Sequence, residues 1–358
     1  MVFEQSQKQA YEKSSEKSFG QSDEAAVLEV SGLKKYFPIY KGVLAKKTGD
    51  IKAVDGISFR LKKREILGLV GESGCGKSTA GRTLLKLLEP TGGRVAFGGE
   101  VIYDVEKKLA VTDTRMRQLR KDMQIVFQDP YASLDPRMNI GTILTEGILK
   151  HKLHPKREAL DRAKELLEIC GLSASAVHKY PHEFSGGQRQ RIGIARALAL
   201  NPKFIVGDEL IAALDVSIQS QILTLFQEMI QRFSLTTLFI SHDLSVVRYF
   251  CDRIGVMYLG SIVETGTSEQ LFFQPLHPYT QALLSAIPKT TPRDNKNRII
   301  LTGEVPTAAN PPEGCKFHTR CRYAMERCKK EKPQDVEAEP GHIVNCHLVE
   351  KRTGADYL

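Results

Sequence analysis

Short apolar runs of strand length alternate along the chain with longer stretches whose apolar side chains recur at helical spacing. Val27 begins the first run, VLEV, residues 53–61 read AVDGISFRL, and residues 65–71 read EILGLVG. The last is apolar without alternation, the pattern of a strand buried on both faces. Residues 77–89, KSTAGRTLLKLLE, predict a helix that Pro90 to Gly93 end. IGTILTEGILK and KREALDRAKELLEICG predict a helical insertion over about 130–184, and a further helix starts at Gly186 and runs through RIGIARALAL. KFIVGDE and TTLFISHD predict strands with the helix VSIQSQILTLFQEMIQRF between them, an order that implies a parallel sheet covered on both faces. RIGVMYLGSIVE at 253–264 predicts a hairpin about Gly260, and HPYTQALLSAI predicts a last helix.

Composition adds boundaries to this α/β pattern. Residues 1–25 are Gln, Ser, Lys and Glu with little to bury, and are expected to be disordered. A main domain is expected over 26–287. From 288 to 358 the chain turns to Pro, Asn, Lys and Cys, which marks a small extension. No stretch reaches the roughly 18 uncharged apolar residues of a membrane helix, and the first residues lack the apolar core of a signal peptide. A cytosolic chain is expected. With 51 basic against 42 acidic residues, a charge of +9 suits an anionic partner such as nucleotide, nucleic acid or lipid, or simply a basic surface. Seven cysteines in a reducing compartment are not read as disulfides: Cys75, Cys170 and Cys251 are scattered, while Cys315, Cys321, Cys328 and Cys346 crowd together.

Candidate chemistry begins directly after the buried strand. Gly71-Glu72-Ser73-Gly74-Cys75-Gly76-Lys77-Ser78 fits G-x-x-x-x-G-K-[ST], in which glycines let backbone N–H groups converge on phosphates at a helix N-terminus. Lys77 is expected to reach the β- and γ-phosphates and Ser78 to ligate magnesium, with Ser73, Gly74, Cys75, Gly76 and Thr79 beside the nucleotide. Cys75 needs only to be small there; a redox-sensor role is the alternative. Phe204 to Glu209 is an apolar strand ending in two carboxylates. Asp208 suits magnesium and Glu209 suits the attacking water, whereas an acidic pair standing alone would be a solvated turn or helix cap.

Ser185-Gly186-Gly187-Gln188-Arg189-Gln190-Arg191 resembles the signature motif of the ATP-binding-cassette (ABC) family. Gln128 in VFQDP resembles its Q-loop, Ala212-Ala213-Leu214-Asp215 its D-loop, and His242 in ISHD its switch histidine. The resemblance implies an ABC-type P-loop NTPase core, mostly a parallel sheet with an antiparallel β subdomain and a helical subdomain. It implies an ATPase in which two cassettes close head to tail, each ATP held between one phosphate loop and the opposite signature. By the same resemblance Tyr36 in LKKYFP would stack on adenine, Gln128 would contact magnesium, His242 would hold the γ-phosphate, and Ser185, Gly186, Gly187, Gln188 and Asp215 would face the second cassette. Two positions depart from the family pattern: Leu210 stands where proline is common and Ala212 where serine opens the D-loop, which weakens the expected coupling between ATP sites.

QDPYASLDPR and the tail GEVPTAANPPEGCKFHTRC, AMERC and NCHL resemble the peptide-importer branch of that family. This implies a subunit energising uptake of dipeptides or oligopeptides, with nickel or glutathione as alternative cargo. Its partners would be a second, related cassette, two membrane permease subunits and an extracytoplasmic binding protein, and its place the cytoplasmic face of the membrane. The spacing of Cys315, Cys321, Cys328 and Cys346 lacks a C-x-x-C knuckle, yet four thiolates suit a cubane cluster. The resemblance implies a 4Fe-4S cluster on them; zinc, with His318 as a further ligand, and free thiols are the alternatives. A metal centre is expected to stabilise an extension with little apolar surface. A DNA- or ribosome-acting ATPase suits the charge, but the 108 positions from Lys77 to Ser185 leave no room for a long coiled coil, and no nucleic-acid partner is expected.

Overall fold

The computed structural model describes residues 26–42, 46–212, 214–287 and 298–350. The expected disordered start, Ala213 of the D-loop and the expected boundary at 288 lie outside them. Two sheets organise the chain. The smaller is antiparallel, in the order β2 (Lys46–Leu61), β1 (Leu28–Lys41), β4 (Gly92–Phe97), β5 (Glu100–Asp104), β6 (Leu109–Ala110). The larger has eight strands, and its centre is parallel: β10 (Arg253–Tyr258), β3 (Ile66–Val70), β9 (Thr236–Ser241), β8 (Phe204–Asp208) and β7 (Met123–Val126) lie side by side in that order. β3, β8 and β9 are buried along their whole length, as their unbroken apolar runs require.

Helix α1 (Lys77–Leu84) lies between the sheets, where Ala80 and Leu84 pack with Leu28 and Val54 on one side and Val206, Leu238 and Ile240 on the other. It ends earlier than the apolar pattern to residue 89 suggests. Lys86 turns left-handed with φ 51°, and the N–H groups of Leu87 and Leu88 fold back onto the Arg82 carbonyl. The short helix α2 (Asp113–Leu119) leads to β7. The helical insertion contains α3 (Ile140–Lys150), α4 (Lys156–Ile169) and two 3₁₀ turns, followed by α5 (Gly186–Leu198). Helix α6 (Val216–Phe233) matches the helix expected between β8 and β9. Then come α7 (Leu244–Phe250), β11 (Ser261–Thr267) on the edge of β10, α8 (Ser268–Phe273) and α9 (Pro278–Ser285). Among the described residues no helix is long and apolar enough to cross a membrane.

The C-terminal extension does not stand apart. After the short helix α10 (Glu326–Lys330), strands β12 (Asp335–Glu339) and β13 (His342–Asn345) form a hairpin, and β13 pairs antiparallel with β11 through Glu264↔Val344 and Thr265↔Ile343. The main domain thus supplies support that the apolar-poor extension lacks on its own. Sheet addition and a buried aromatic hold it: Phe317 is 2% exposed and sits against Tyr258 and Tyr279 with ring centroids 5.3 Å from each. Below the joint, the buried Glu264 carboxylate accepts hydrogen bonds from the N–H groups of Leu276 (2.8 Å) and His277 (3.0 Å) and meets His342 Nε2 at 2.8 Å.

His277 caps α9, its Nδ1 accepting from the Tyr279 N–H at 3.0 Å, which requires that nitrogen to be unprotonated. Burial holds its pKa at about 4, below the ordinary 6.5, so the unfolded chain binds a proton between those values that the folded chain does not. Stability from this group is therefore complete above pH 6.5 and lost as pH falls towards 4. Denaturant unfolding across that window should show wild type losing roughly 3 kcal/mol relative to His277→Asn, whose amide oxygen can still cap the helix without titrating. Parallel pH profiles would count against it.

A candidate nucleotide site at the ends of four parallel strands

The functional loops leave the carboxyl ends of β3, β9, β8 and β7, four neighbours in one parallel sheet. Strand order thus gathers residues scattered over about half the sequence, at the edge where open α/β sheets bind ligands. From β3 the chain enters the phosphate loop. Gly71 and Gly76 are glycines of necessity: at φ 154° and 107°, an added Cβ would lie 2.1 Å from the Met257 carbonyl oxygen and 1.9 Å from that of Ala53. The loop closes on Lys77, 4% exposed, whose ammonium donates to the carbonyls of Gly71 (2.9 Å) and Glu72 (3.2 Å). Ser73 and Gly74 face solvent, and Thr79 is half-buried in the first turn of α1. Cys75 is buried, and burial raises its thiol pKa, the reverse of what a reactive redox sensor needs.

Strand β8 delivers the two carboxylates. The Ser78 hydroxyl donates to Asp208 Oδ1 at 2.5 Å. Asp208 is fully buried and its pKa is raised, chiefly by desolvation; Oδ2 makes no hydrogen bond, and Arg82 stands 3.6 Å away. A hydroxyl beside a buried carboxylate with an unspent oxygen fits a hard cation held directly or through water. Glu209 turns left-handed at φ 45°, a conformation that costs a non-glycine residue on the order of 1 kcal/mol, while its N–H stays anchored on the Ile240 carbonyl at 3.0 Å. That turn aims the carboxylate across the site. Oε1 lies 3.9 Å from Lys77 Nζ, and Oε2 accepts from Gln128 Nε2 at 2.8 Å and lies 3.5 Å from His242 Nδ1. Lys77, Gln128, Glu209 and His242, one from the end of each strand, thus converge. A small cleft lined by Glu209, Ile211, Ala212, Gln219 and His242 opens beside them.

The remaining expected residues lie elsewhere. Tyr36, half-buried in β1, hydrogen-bonds Asp55 through its phenol, and burial followed by this contact raises its pKa. Ser185 caps α5 in a reciprocal box: Gln188 N–H donates to its Oγ at 3.4 Å, and its own N–H donates to Gln188 Oε1 at 3.0 Å. Gly186 and Gly187 lie against Leu214 and Ile218, where a Cβ on Gly187 would come 2.6 Å from Ile218. Ser185, Gln188 and Asp215 are exposed; Leu210 is buried and Ala212 exposed.

Cys315, Cys321, Cys328 and Cys346 converge. Burial raises the thiol of Cys315 to about 12 and that of Cys346 to about 11, with smaller contributions from neighbouring cysteines of the four. Among the described residues, however, no group of three or more His, Cys, Asp or Glu is arranged to hold a metal ion, so the expected cluster is not supported. The His318 ring instead lies 2.8 Å, through Nδ1, from the Cys315 carbonyl oxygen. Sequence reasoning missed Arg320, whose guanidinium is bonded to Glu72 of the phosphate loop. A separation of 248 residues leaves no local pattern from which to find it.

Residues 54–212 match the family profile described as ABC transporter, and residues 263–328 match the oligopeptide/dipeptide transporter C-terminal region. The chain is 53% identical to the oligopeptide transport ATP-binding protein AppF of Bacillus subtilis over 91% of its own length and 98% of that protein's. It is 45% identical to the dipeptide transport ATP-binding protein DppF of Haemophilus influenzae over 90% and 97%. Among solved structures, CbiO1 of Clostridium perfringens, part of the transporter complex CbiONQ, aligns with a TM-score of 0.57 and 28% identity over 70% of this chain and 91% of that one. The cassette MJ0796 in a post-hydrolysis state with ADP and phosphate aligns at 0.56 and 25% over 67% and 98%. A phosphate loop, two strand-end carboxylates, a glutamine and a histidine meeting on one sheet edge agree with these likenesses: the chain belongs to the ABC transporter ATPases, in the group that carries the oligopeptide/dipeptide transporter C-terminal region.

Proposed function

We propose that this ATPase energises uptake of dipeptides or oligopeptides through separate membrane subunits. The observation that carries the reading is the meeting of Glu209 with Lys77, Gln128 and His242 at one point. The relatives' names and the matched C-terminal region support peptides over nickel or glutathione as cargo.

Each side chain has a task in that chemistry. Lys77 exchanges its two loop carbonyls for phosphate oxygens, and the loop's N–H groups take the rest of the charge. Ser78 and Asp208, with Gln128, would hold magnesium, which supplies charge neutralisation between the phosphates. Glu209 accepts the proton of the attacking water or orients it, and His242 holds the γ-phosphate. The half-buried Tyr36 offers its ring to adenine. The turn at Ser185, Gly186, Gly187 and Gln188 presents the N–H groups of Gly186 and Gly187, which the Ser185–Gln188 box leaves unused, at the start of a 13-residue helix, which suits the γ-phosphate on a second cassette with Asp215 beside it. Ala212 carries no hydroxyl for that interface, which supports weak coupling between the two ATP sites.

Such a chain works with a second cassette, two permease subunits and an extracytoplasmic binding protein, peripherally on the cytoplasmic face of the membrane. We infer that the four C-terminal cysteines hold a 4Fe-4S cluster, with zinc as the alternative. The proximity of the four cysteines supports it.

Glu209→Gln should keep Mg–ATP affinity within about threefold while hydrolysis falls by about 100-fold or more; near-normal turnover would remove Glu209 from its role. Cys328→Ser should abolish iron content and the visible absorption of the purified chain if a cluster is present. Wild-type protein free of iron and zinc would leave the four positions as packed thiols.

A further inference from the structure

Two basic residues of the extension, Lys316 and Arg320, reach the nucleotide site from behind. Arg320, 8% exposed, donates from Nη1 to Glu72 Oε2 at 2.8 Å and from Nη2 to Oε1 at 3.0 Å, a two-pronged ion pair onto the second residue of the phosphate loop. Glu72 is gripped at its backbone too. Its N–H donates to Tyr279 Oη at 3.0 Å, and its carbonyl is one of the two that hold Lys77. Lys316 donates to Asp55 Oδ2 at 2.7 Å, to the Leu259 carbonyl at 2.9 Å and to Ser261 Oγ at 2.7 Å, while Asp55 Oδ1 holds the Tyr36 phenol. Phe317, between the two in sequence, fixes the segment against Tyr258, Tyr279 and His277.

Docking alone does not call for these charges. Phe317 and the β11–β13 pairing already attach the extension, and burying a guanidinium and an ammonium forfeits hydration and side-chain freedom. Both cations instead end on residues next to expected nucleotide contacts: Arg320 on the residue whose carbonyl carries Lys77, Lys316 on the carboxylate that holds Tyr36. We propose that Arg320 is a positioning residue for ATP, holding Glu72 and through it the phosphate loop, and that the Lys316–Arg320 segment makes the C-terminal extension part of the nucleotide site. This rests on reading residues 71–78 as the phosphate site.

The test is titration of the full chain with a fluorescent ATP analogue and magnesium, well below each variant's melting temperature. Arg320→Ala and Glu72→Gln should each weaken binding about tenfold. The double variant should bind no more weakly than either single one, because both remove the same contact. Arg320→Lys should recover part of the loss, since an ammonium keeps the charge without the fork. A lowered melting temperature with unchanged ATP affinity in Arg320→Ala would reduce Arg320 to a docking contact and overturn the proposal, as would strictly additive effects. Glu72→Gln keeps the side chain's size, so it gives the same answer should Arg320→Ala fail to fold. Wild-type chain that binds no ATP would defeat the reading of the phosphate loop itself, a different result from a wild type that binds and an Arg320→Ala that binds equally well.

Discussion

A lysine ammonium sealed inside a loop of its own backbone is the constraint on which the site depends. Lys77 is almost wholly buried, and a buried cation without partners is too costly to persist, so carbonyls of Gly71 and Glu72 and the more distant Glu209 carboxylate surround it. Those carbonyls can face inward only because Gly71 and Gly76 adopt backbone angles and approaches closed to other residues. The same arrangement has a weakness that substrate can use. Two neutral carbonyls and a carboxylate 3.9 Å away compensate a full positive charge less well than a triphosphate would. The loop is therefore built to exchange internal partners for an anion.

Around that loop the sheet acts as an alignment device. β3, β9, β8 and β7 are neighbours in space but not in sequence; β9, β8 and β7 each contribute a polar group within two residues of the strand's end, and β3 does so through the loop that leads to Lys77. Glu209 shows how this is used: its N–H is tied to β9 while its left-handed turn carries the carboxylate to Gln128 from the far side. Movement of the Gln128 loop therefore changes the surroundings of the carboxylate directly. That linkage is a physical route by which a distant event on the helical insertion could be felt at the reacting end of the nucleotide.

Much of this was legible in the chain because it is local. The phosphate loop, the β8 carboxylates and the helix start at Gly186 are written in runs of four to eight residues, and the long amphipathic helix α6 ends where its apolar period ends. What escaped depends on contacts between remote segments. β4 to β6 are short strands that join the sheet one after another, from β4 on β1, through pairings set by tertiary packing, and the turn at Lys86 cuts α1 short against an apolar pattern that would continue. The extension looked too poor in apolar residues to fold unaided because its support, the edge of β11 and the pocket around Phe317, is supplied by residues far earlier in the chain. Cysteine spacing gave proximity of the thiols but not their geometry, since ligand arrangement is decided by side-chain direction rather than by count.

The most direct test of the account is a calorimetric titration of the full chain with Mg–ATP, repeated on Lys77→Ala. It predicts one site per chain in the wild type and affinity at least about 100-fold weaker in the variant, since the ammonium's charge-assisted contacts to the phosphates are lost. Equal affinity in the two proteins would contradict it.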